Sequence, residues 1–304
     1  MSVAEVRYIE GRDAAAGRVP DLLVEVPHGA TRRADFDRVR AELRGPLPEG
    51  LEDFFHVNTD EGAAELGLAI AEAVVEARPC WRAVLVRCLI PRTFIDTNRE
   101  ADLPGGDLRR GGLTPGLQPY ITDPADRAHL RRLHADYQAL CDRHWAAVCG
   151  AGGLALIPHT YAPRSVGIAR VDEQIVSELH RVYSPGLVET WPLRPAVDVI
   201  SRTEDGMRLS ADVVDELIRA LHDRGVDAVD GDTYFLHPST MGAVRAAAWP
   251  GQTLCWEVRR DLLTHEWPPF AESVIAPDLV EGFAPGFSQV AVDWLDRRSA
   301  PSAG

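Results

Sequence analysis

The sequence predicts an α/β protein, a three-layer domain with a mixed, mostly parallel sheet and helices on both faces. Three observations carry this expectation. Short apolar runs at 21–29, 82–90 and 152–160 read as buried strands. Longer stretches at 61–78 and 123–150 place apolar residues at helical spacing between them. Strands alternating with helices are the pattern of a parallel sheet covered on both sides. The 304 residues show no internal repeat and no linker, so a single domain over 1–304 is expected, with its core at about 20–295.

The elements follow in order. DLLVEVPHG (21–29) is an apolar run broken by Pro and Gly, a strand whose end delivers His28. From Glu61 to Arg78, Ala64, Leu68, Ala71 and Val75 mark a helix stopped by Pro79. RAVLVRCLI (82–90) is a second buried strand. The Gly- and Pro-rich segment 101–116 is a loop long enough to serve as a lid or rim. The longest helical pattern, 123–150, has Asp123 as N-cap and Gly150 as stop. Its histidines, His129, His134 and His144, lie in a polar sequence and read as surface residues. GGLALIPHT (152–160) is a strand ending at His159. A further helix opens at Ser210 as N-cap and runs to about Arg224. TLCWEVRRDLL (253–263) is a late strand carrying Glu257, and SAPSAG closes the chain as a polar, frayed tail.

Composition excludes several classes of partner. With 45% hydrophobic and 26% charged residues the chain is globular rather than disordered. A net charge of −14 disfavours phosphate backbones and anionic lipid, so neither nucleic acid nor a membrane is an expected partner. No apolar run approaches the roughly 18 residues of a membrane-spanning helix. The five cysteines are odd in number and form no CxxC pair. Together with an opening segment lacking the basic and apolar regions of a signal peptide, this points to a reduced, cytoplasmic setting. The chain has no lysine, so any cation that grips an anion must be an arginine, which binds carboxylates in a fork.

Chemistry concentrates in few places. Two strands end in Pro-His steps, at His28 and His159. Ligands gather at the carboxyl ends of strands in α/β sheets. Two imidazoles there suit a zinc site, which takes three protein ligands and keeps one position open. The plainer reading is two hydrogen-bonded strand-end histidines, and the two readings weigh about equally. Asp60 and Glu61 precede a helix, where acidic residues also serve as ordinary caps. PRTFIDTNRE (91–100) offers Arg92, Asn98 and Arg99, with Arg99 able to hold a carboxylate in a bidentate pair. The same residues could equally form structural ion pairs at a loop base. Glu257 lies among Leu254, Trp256 and Val258, a costly place for an unpaired carboxylate. It suits general acid–base work, or a salt bridge to Arg259 or Arg260. There is no GxGxxG after a strand, no P-loop and no GxSxG elbow, so neither a nucleotide cofactor nor a serine nucleophile has support.

Taken in order, VEVPHGA, HVNTDEGAAELG, PRTFIDTNRE, ALIPHTY and TLCWEVRRDLL resemble the motifs of the N-formylglutamate amidohydrolase family, which is related in fold to zinc carboxypeptidases and aspartoacylase. The likeness spans about residues 20–265, and Asp96-x-Asn98-Arg99 is its most specific part. It implies a zinc-carboxypeptidase-like fold and a Zn2+-dependent amidohydrolase acting on a small, carboxylate-bearing N-acyl-amino acid. It makes His28 and His159 zinc ligands. The carboxypeptidase His-x-x-Glu pair is absent, Thr31 standing three after His28, so the third ligand falls to Asp60, with Glu61 as the alternative. Asn98 and Arg99 would hold the substrate carboxylate, Arg92 would assist that carboxylate or the oxyanion, and Glu257 would be the general base. A hydrolase acting on another acyl-amino acid or a biosynthetic amide, and a metal-free binder of small acids, are the competing expectations.

Overall fold

The computed structural model describes residues 2–299. The tail beyond Ser299, expected to fray, lies outside the described residues. Seven strands form one mixed sheet: β1 Ala4–Glu10, β2 Leu22–Val26, β3 Arg82–Cys88, β4 Leu154–Tyr161, β5 Val197–Val199, β6 Ala228–Asp230 and β7 Thr253–Arg259. Their order across the sheet is β1-β3-β2-β4-β7-β5-β6. The central strands β3, β2, β4 and β7 are parallel, β1 is antiparallel to β3, and β5 is antiparallel to β7. The expected α/β class and mixed, mostly parallel sheet are what the molecule has.

Helices cover both faces: α1 Arg33–Arg40, α2 Leu51–Asn58, α3 Ala63–Ala77, α4 Pro124–Gly150, α5 Ile175–Val182, α6 Ala211–His222, α7 Met241–Ala248 and α8 Pro277–Ser299. Two hydrophobic clusters show the layering. One joins Leu22, Val24, Leu154, Leu156, Leu254 and Trp256 of the sheet to α3, α6 and α8. The other joins Leu23, Ala155, Ile157 and Cys255 to α1, α2, α4 and α5. Successive strand residues point to opposite faces, so strands buried on both faces must be apolar throughout. Every residue of β2 and of β4 is buried. The exception in β2 is Glu25, whose carboxylate accepts hydrogen bonds from the Tyr137 hydroxyl at 3.2 Å and from the Trp145 indole N–H. Leu66, Ile70 and Val74 of α3 are wholly buried, each contributing about 1.5–3 kcal/mol.

Local chemistry sets the helix ends. Asp123 caps α4, its Oδ1 accepting from the backbone N–H of Ala125 at 2.8 Å and of Asp126 at 3.0 Å. The helix runs through Gly150 rather than stopping before it. Ser210 precedes α6 but does not cap it. It sits in the left-handed region with φ 57° and its side chain makes no cap bond, so packing of Val213, Val214, Leu217 and Leu221 fixes the helix instead. His134 is a second correction. It is buried on the α4 face with Leu130, Leu133, Tyr137 and Cys141, and its Nε2 lies 2.8 Å from the Arg99 carbonyl oxygen. A mostly polar helix can still bury one complete stripe, and His134 belongs to that stripe.

Candidate active site

Three side chains from separate elements meet at the carboxyl ends of β2 and β4. His28 follows β2, His159 lies within β4, and Asp60 occupies the turn between α2 and α3. Asp60 Oδ2 is 3.1 Å from His28 Nδ1 and 2.8 Å from His159 Nδ1. All three residues are buried, and their potential ligand atoms lie within 4.8 Å of one another. Gly62 allows the turn. Its φ is 86°, and a Cβ there would lie 2.8 Å from Leu263 Cδ1. Burial pushes the Asp60 carboxyl up, but the two imidazoles outweigh burial and hold it well below the usual carboxylate range.

The donor set fits a divalent metal. Both histidines turn the same ring nitrogen toward one carboxylate oxygen, giving two nitrogens and one oxygen, the number and kind of protein donors a catalytic zinc takes. The far nitrogen of His28 is already engaged, since Nε2 lies 2.8 Å from Asp96 Oδ1. A carboxylate on the far side of a histidine fixes its tautomer and raises the basicity of its free nitrogen. Glu61, the alternative third ligand, points elsewhere. Its carboxylate accepts from the Ser273 backbone N–H at 2.9 Å and hydroxyl at 2.6 Å, and it is not in the His28–Asp60–His159 group.

Asp96 organises the neighbouring arginines and is wholly buried. Its Oδ1 accepts from the Asn98 backbone N–H at 2.9 Å, and its Oδ2 accepts from Arg92 Nη2 at 2.8 Å and from the Thr114 hydroxyl at 3.4 Å. Thr114 places the Gly-rich segment as a rim beside the site. Burial raises the Asp96 carboxyl, but Arg92, His28 and Arg99 together hold it well below the ordinary range. Arg92 also reaches toward Asp60, with Nη1 3.7 Å from Oδ1. Arg99 Nε is 4.0 Å from Asp96 Oδ2 and has no hydrogen-bond partner, while its Nη1 donates to the Asn98 carbonyl at 3.0 Å. Burial makes this guanidinium less basic than usual, with Asp96 opposing and Arg92 adding to the effect. Asn98 Oδ1 accepts from the Gly242 N–H at 2.9 Å, which fixes the orientation of its side-chain amide.

Glu257 stands opposite His159 in the parallel β4–β7 register, so both side chains share one face of the sheet. One of its oxygens, Oε2, is enclosed and has no partner. Burial drives its pKa up to about 7, with His159 opposing and Asp60 reinforcing the rise. The alternative, a salt bridge to Arg259 or Arg260, does not form. Arg259 donates to Asp261 at 2.8 Å and to the Arg194 carbonyl at 3.0 Å, while Arg260 donates to the Val57 carbonyl at 2.7 Å. Arg260 instead places Nη2 3.8 Å from Asp60 Oδ1.

The eight residues singled out from sequence thus separate. His28, Asp60, His159, Arg92 and Glu257 are linked by contact, register or charge, and Asn98 and Arg99 flank them beside Asp96. Glu61 stands apart on Ser273. Asp96 and Arg260 were not among the eight. The position of Asp96 inside the Asp-x-Asn-Arg segment is the signal that could have found it, whereas nothing local marks Arg260.

No family model matches the chain, and no curated protein matches its sequence. Solved structures do match. An N-formylglutamate amidohydrolase from Ralstonia eutropha aligns over 99% of this chain and 100% of its own, at 18% identity and a TM-score of 0.59. A gene product of Agrobacterium tumefaciens aligns over 99% of this chain and 97% of its own, at 16% identity and a TM-score of 0.52. The chain shares the fold of these proteins over essentially its whole length, in agreement with the order of motifs in its sequence.

Proposed function

We propose that the chain is a single-domain, zinc-dependent amidohydrolase that cleaves the linear amide of a small, carboxylate-bearing N-acyl-amino acid of the N-formylglutamate type. The observation that carries this reading is the convergence of His28, Asp60 and His159 beside Glu257, a carboxylate with a free oxygen on the same sheet face. The fold likeness to an N-formylglutamate amidohydrolase supports it. Among the described residues no helix is long and apolar enough to cross a membrane. Five free cysteines, four of them buried, suit a reducing, cytoplasmic setting.

His28, His159 and Asp60 would hold the metal, which supplies Lewis acidity for the scissile carbonyl and for an attacking water. Asp96, 2.8 Å from Nε2 of His28, would hold the imidazole proton there and leave Nδ1 to the metal. Glu257, poised near neutrality, takes a proton from the attacking water and passes it to the leaving nitrogen. Arg99, with the Asn98 amide, binds the substrate carboxylate and fixes the scissile bond in place. Arg92, anchored on Asp96, supplies positive charge where the carbonyl oxygen gains negative charge.

The test is a panel of N-formyl- and N-acyl-amino acids with zinc supplied, assayed for the released amino acid. Turnover by the wild type, and loss of about a hundredfold or more in Glu257→Gln, is the expected result. No turnover of any member of the panel would overturn the reading.

A further inference from the structure

The two oxygens of Asp60 have different neighbours. Oδ2 is the atom turned toward Nδ1 of His28 and of His159. Oδ1 is approached by two guanidinium groups, at 3.7 Å from Arg92 Nη1 and 3.8 Å from Arg260 Nη2. Arg92 has a second acid in Asp96. For Arg260, Asp60 is the one carboxylate within ion-pair distance among the described residues. The mechanism above gives Arg260 no part.

The end of β7 places this arginine. The strand closes at Arg259, and the turn Arg260–Leu262 carries the next side chain into the interior, where it is 3% exposed. Four of the five N–H groups of a guanidinium are engaged there by neutral oxygens. Nε donates to the Thr160 hydroxyl at 3.4 Å, Nη1 to the carbonyls of Val57 at 2.7 Å and His56 at 3.5 Å, and Nη2 to the Thr160 carbonyl at 3.3 Å. His56 and Val57 belong to the last turn of α2, whose carbonyls have no partner within the helix. The Thr160 hydroxyl donates in turn to the Glu61 carbonyl at 2.8 Å. β4, the end of α2 and the turn bearing Asp60 thus meet on one guanidinium. Its remaining N–H is on Nη2, the nitrogen nearest Asp60 Oδ1. A buried guanidinium is costly without an anion, and Asp60 is the anion at hand.

We propose that Arg260 is a positioning residue that, with Arg92, reserves Oδ1 and leaves Asp60 one oxygen, Oδ2, to offer a cation, so that the site favours a nitrogen-seeking ion over an oxygen-seeking one such as Mn2+. This rests on the metal-site reading above and adds to it the residue that sets which metal the site takes. Zinc is satisfied by three protein donors of mixed nitrogen and oxygen kind. Mn2+ suits carboxylate, carbonyl and water oxygens, so it gains more from a second carboxylate oxygen. With Arg260 neutralised, one of the two charges that hold Oδ1 is gone and Asp60 can offer both oxygens.

Dissociation constants of Zn2+ and Mn2+ on the metal-free full chain test this without turnover. Zinc is read by competition with a chromogenic chelator, and manganese by the paramagnetic resonance signal of the free ion. Arg260→Gln keeps a donor for the neighbouring carbonyls and removes the charge. It is expected to shift the ratio of the two constants at least about tenfold toward Mn2+. Arg260→Lys, which keeps the charge, is expected to stay within about threefold of the wild-type ratio. A merely structural role would move both metals together. A ratio within about threefold of wild type in folded Arg260→Gln would overturn the proposal. If that variant does not fold, infrared difference spectra of the wild type on zinc addition decide, with isotope-labelled aspartate carboxyl groups and the Asp60 bands assigned by their loss in Asp60→Asn. A separation of the two carboxylate stretches wider than in the free carboxylate marks binding through one oxygen, as expected. A narrower separation marks binding through both and would overturn the proposal. Failure of the zinc reading would show separately, as no zinc bound by the wild type, and would remove this proposal with it.

Discussion

Replacing Glu257 with glutamine removes a carboxyl group that folding makes harder to ionise. Its pKa rises from 4.5 to about 7 in the folded chain, chiefly through burial. Between those values the folded state holds a proton that the unfolded state releases. Stability from this group is therefore complete below about pH 4.5, declines as pH rises to about 7, and is level above that. At about 1.4 kcal/mol for each tenfold change in proton affinity, the decline amounts to about 3 kcal/mol. Glutamine keeps the shape, carries no charge and has no such dependence. Metal-free Glu257→Gln should accordingly match the wild type near pH 5 and melt several degrees higher at pH 8. Thermal melts of both proteins in chelator, from pH 5 to 8.5 at constant ionic strength, read this directly. A gap that does not change with pH, or a variant less stable than wild type at pH 8, would refute the reasoning. The same variant should lose turnover, so stability and activity move in opposite directions.

Other perturbations follow from the same contacts. Arg99→Ala should lower kcat/KM for carboxylate substrates by about ten- to a hundredfold while sparing neutral amides, and an equal fall in both classes would remove it as the carboxylate clamp. Asp96→Asn should weaken metal affinity by about ten- to a hundredfold in a competition assay with a chromogenic chelator, because it disturbs the far side of His28. Gly62→Ala should destabilise the chain by about 1–3 kcal/mol in urea unfolding, since it combines a positive φ with a Cβ only 2.8 Å from Leu263. Unchanged unfolding would mean that the turn has other ways to aim Asp60.

What was legible in the sequence was whatever a local pattern determines. β2 and β4 read as strands because both of their faces are buried, which demands unbroken apolar runs. The Pro-His steps at their ends marked the two imidazoles for the same reason. β1, an edge strand with many exposed positions, has no such run, and β5 and β6, of three residues each, carry no period. The choice between Asp60 and Glu61 could not be made locally. What separates them in the fold is the Gly62 turn, which brings Asp60 to the two histidines, and Ser273, 212 residues away from Glu61, which engages the Glu61 carboxylate. Asp96 belongs to the Asp-x-Asn-Arg segment, but its contact with His28 spans 68 residues and leaves no local trace. The polarity of the α4 sequence hides His134, which is buried with Leu130, Leu133, Tyr137 and Cys141 on the one apolar stripe of the helix.

Metal content tests the central claim most directly. Elemental analysis of the chain purified without added metal or chelator should find about one zinc per wild-type chain and almost none in a folded Asp60→Ala or His159→Ala variant. No zinc in the wild type, and none taken up when it is supplied, would contradict the account.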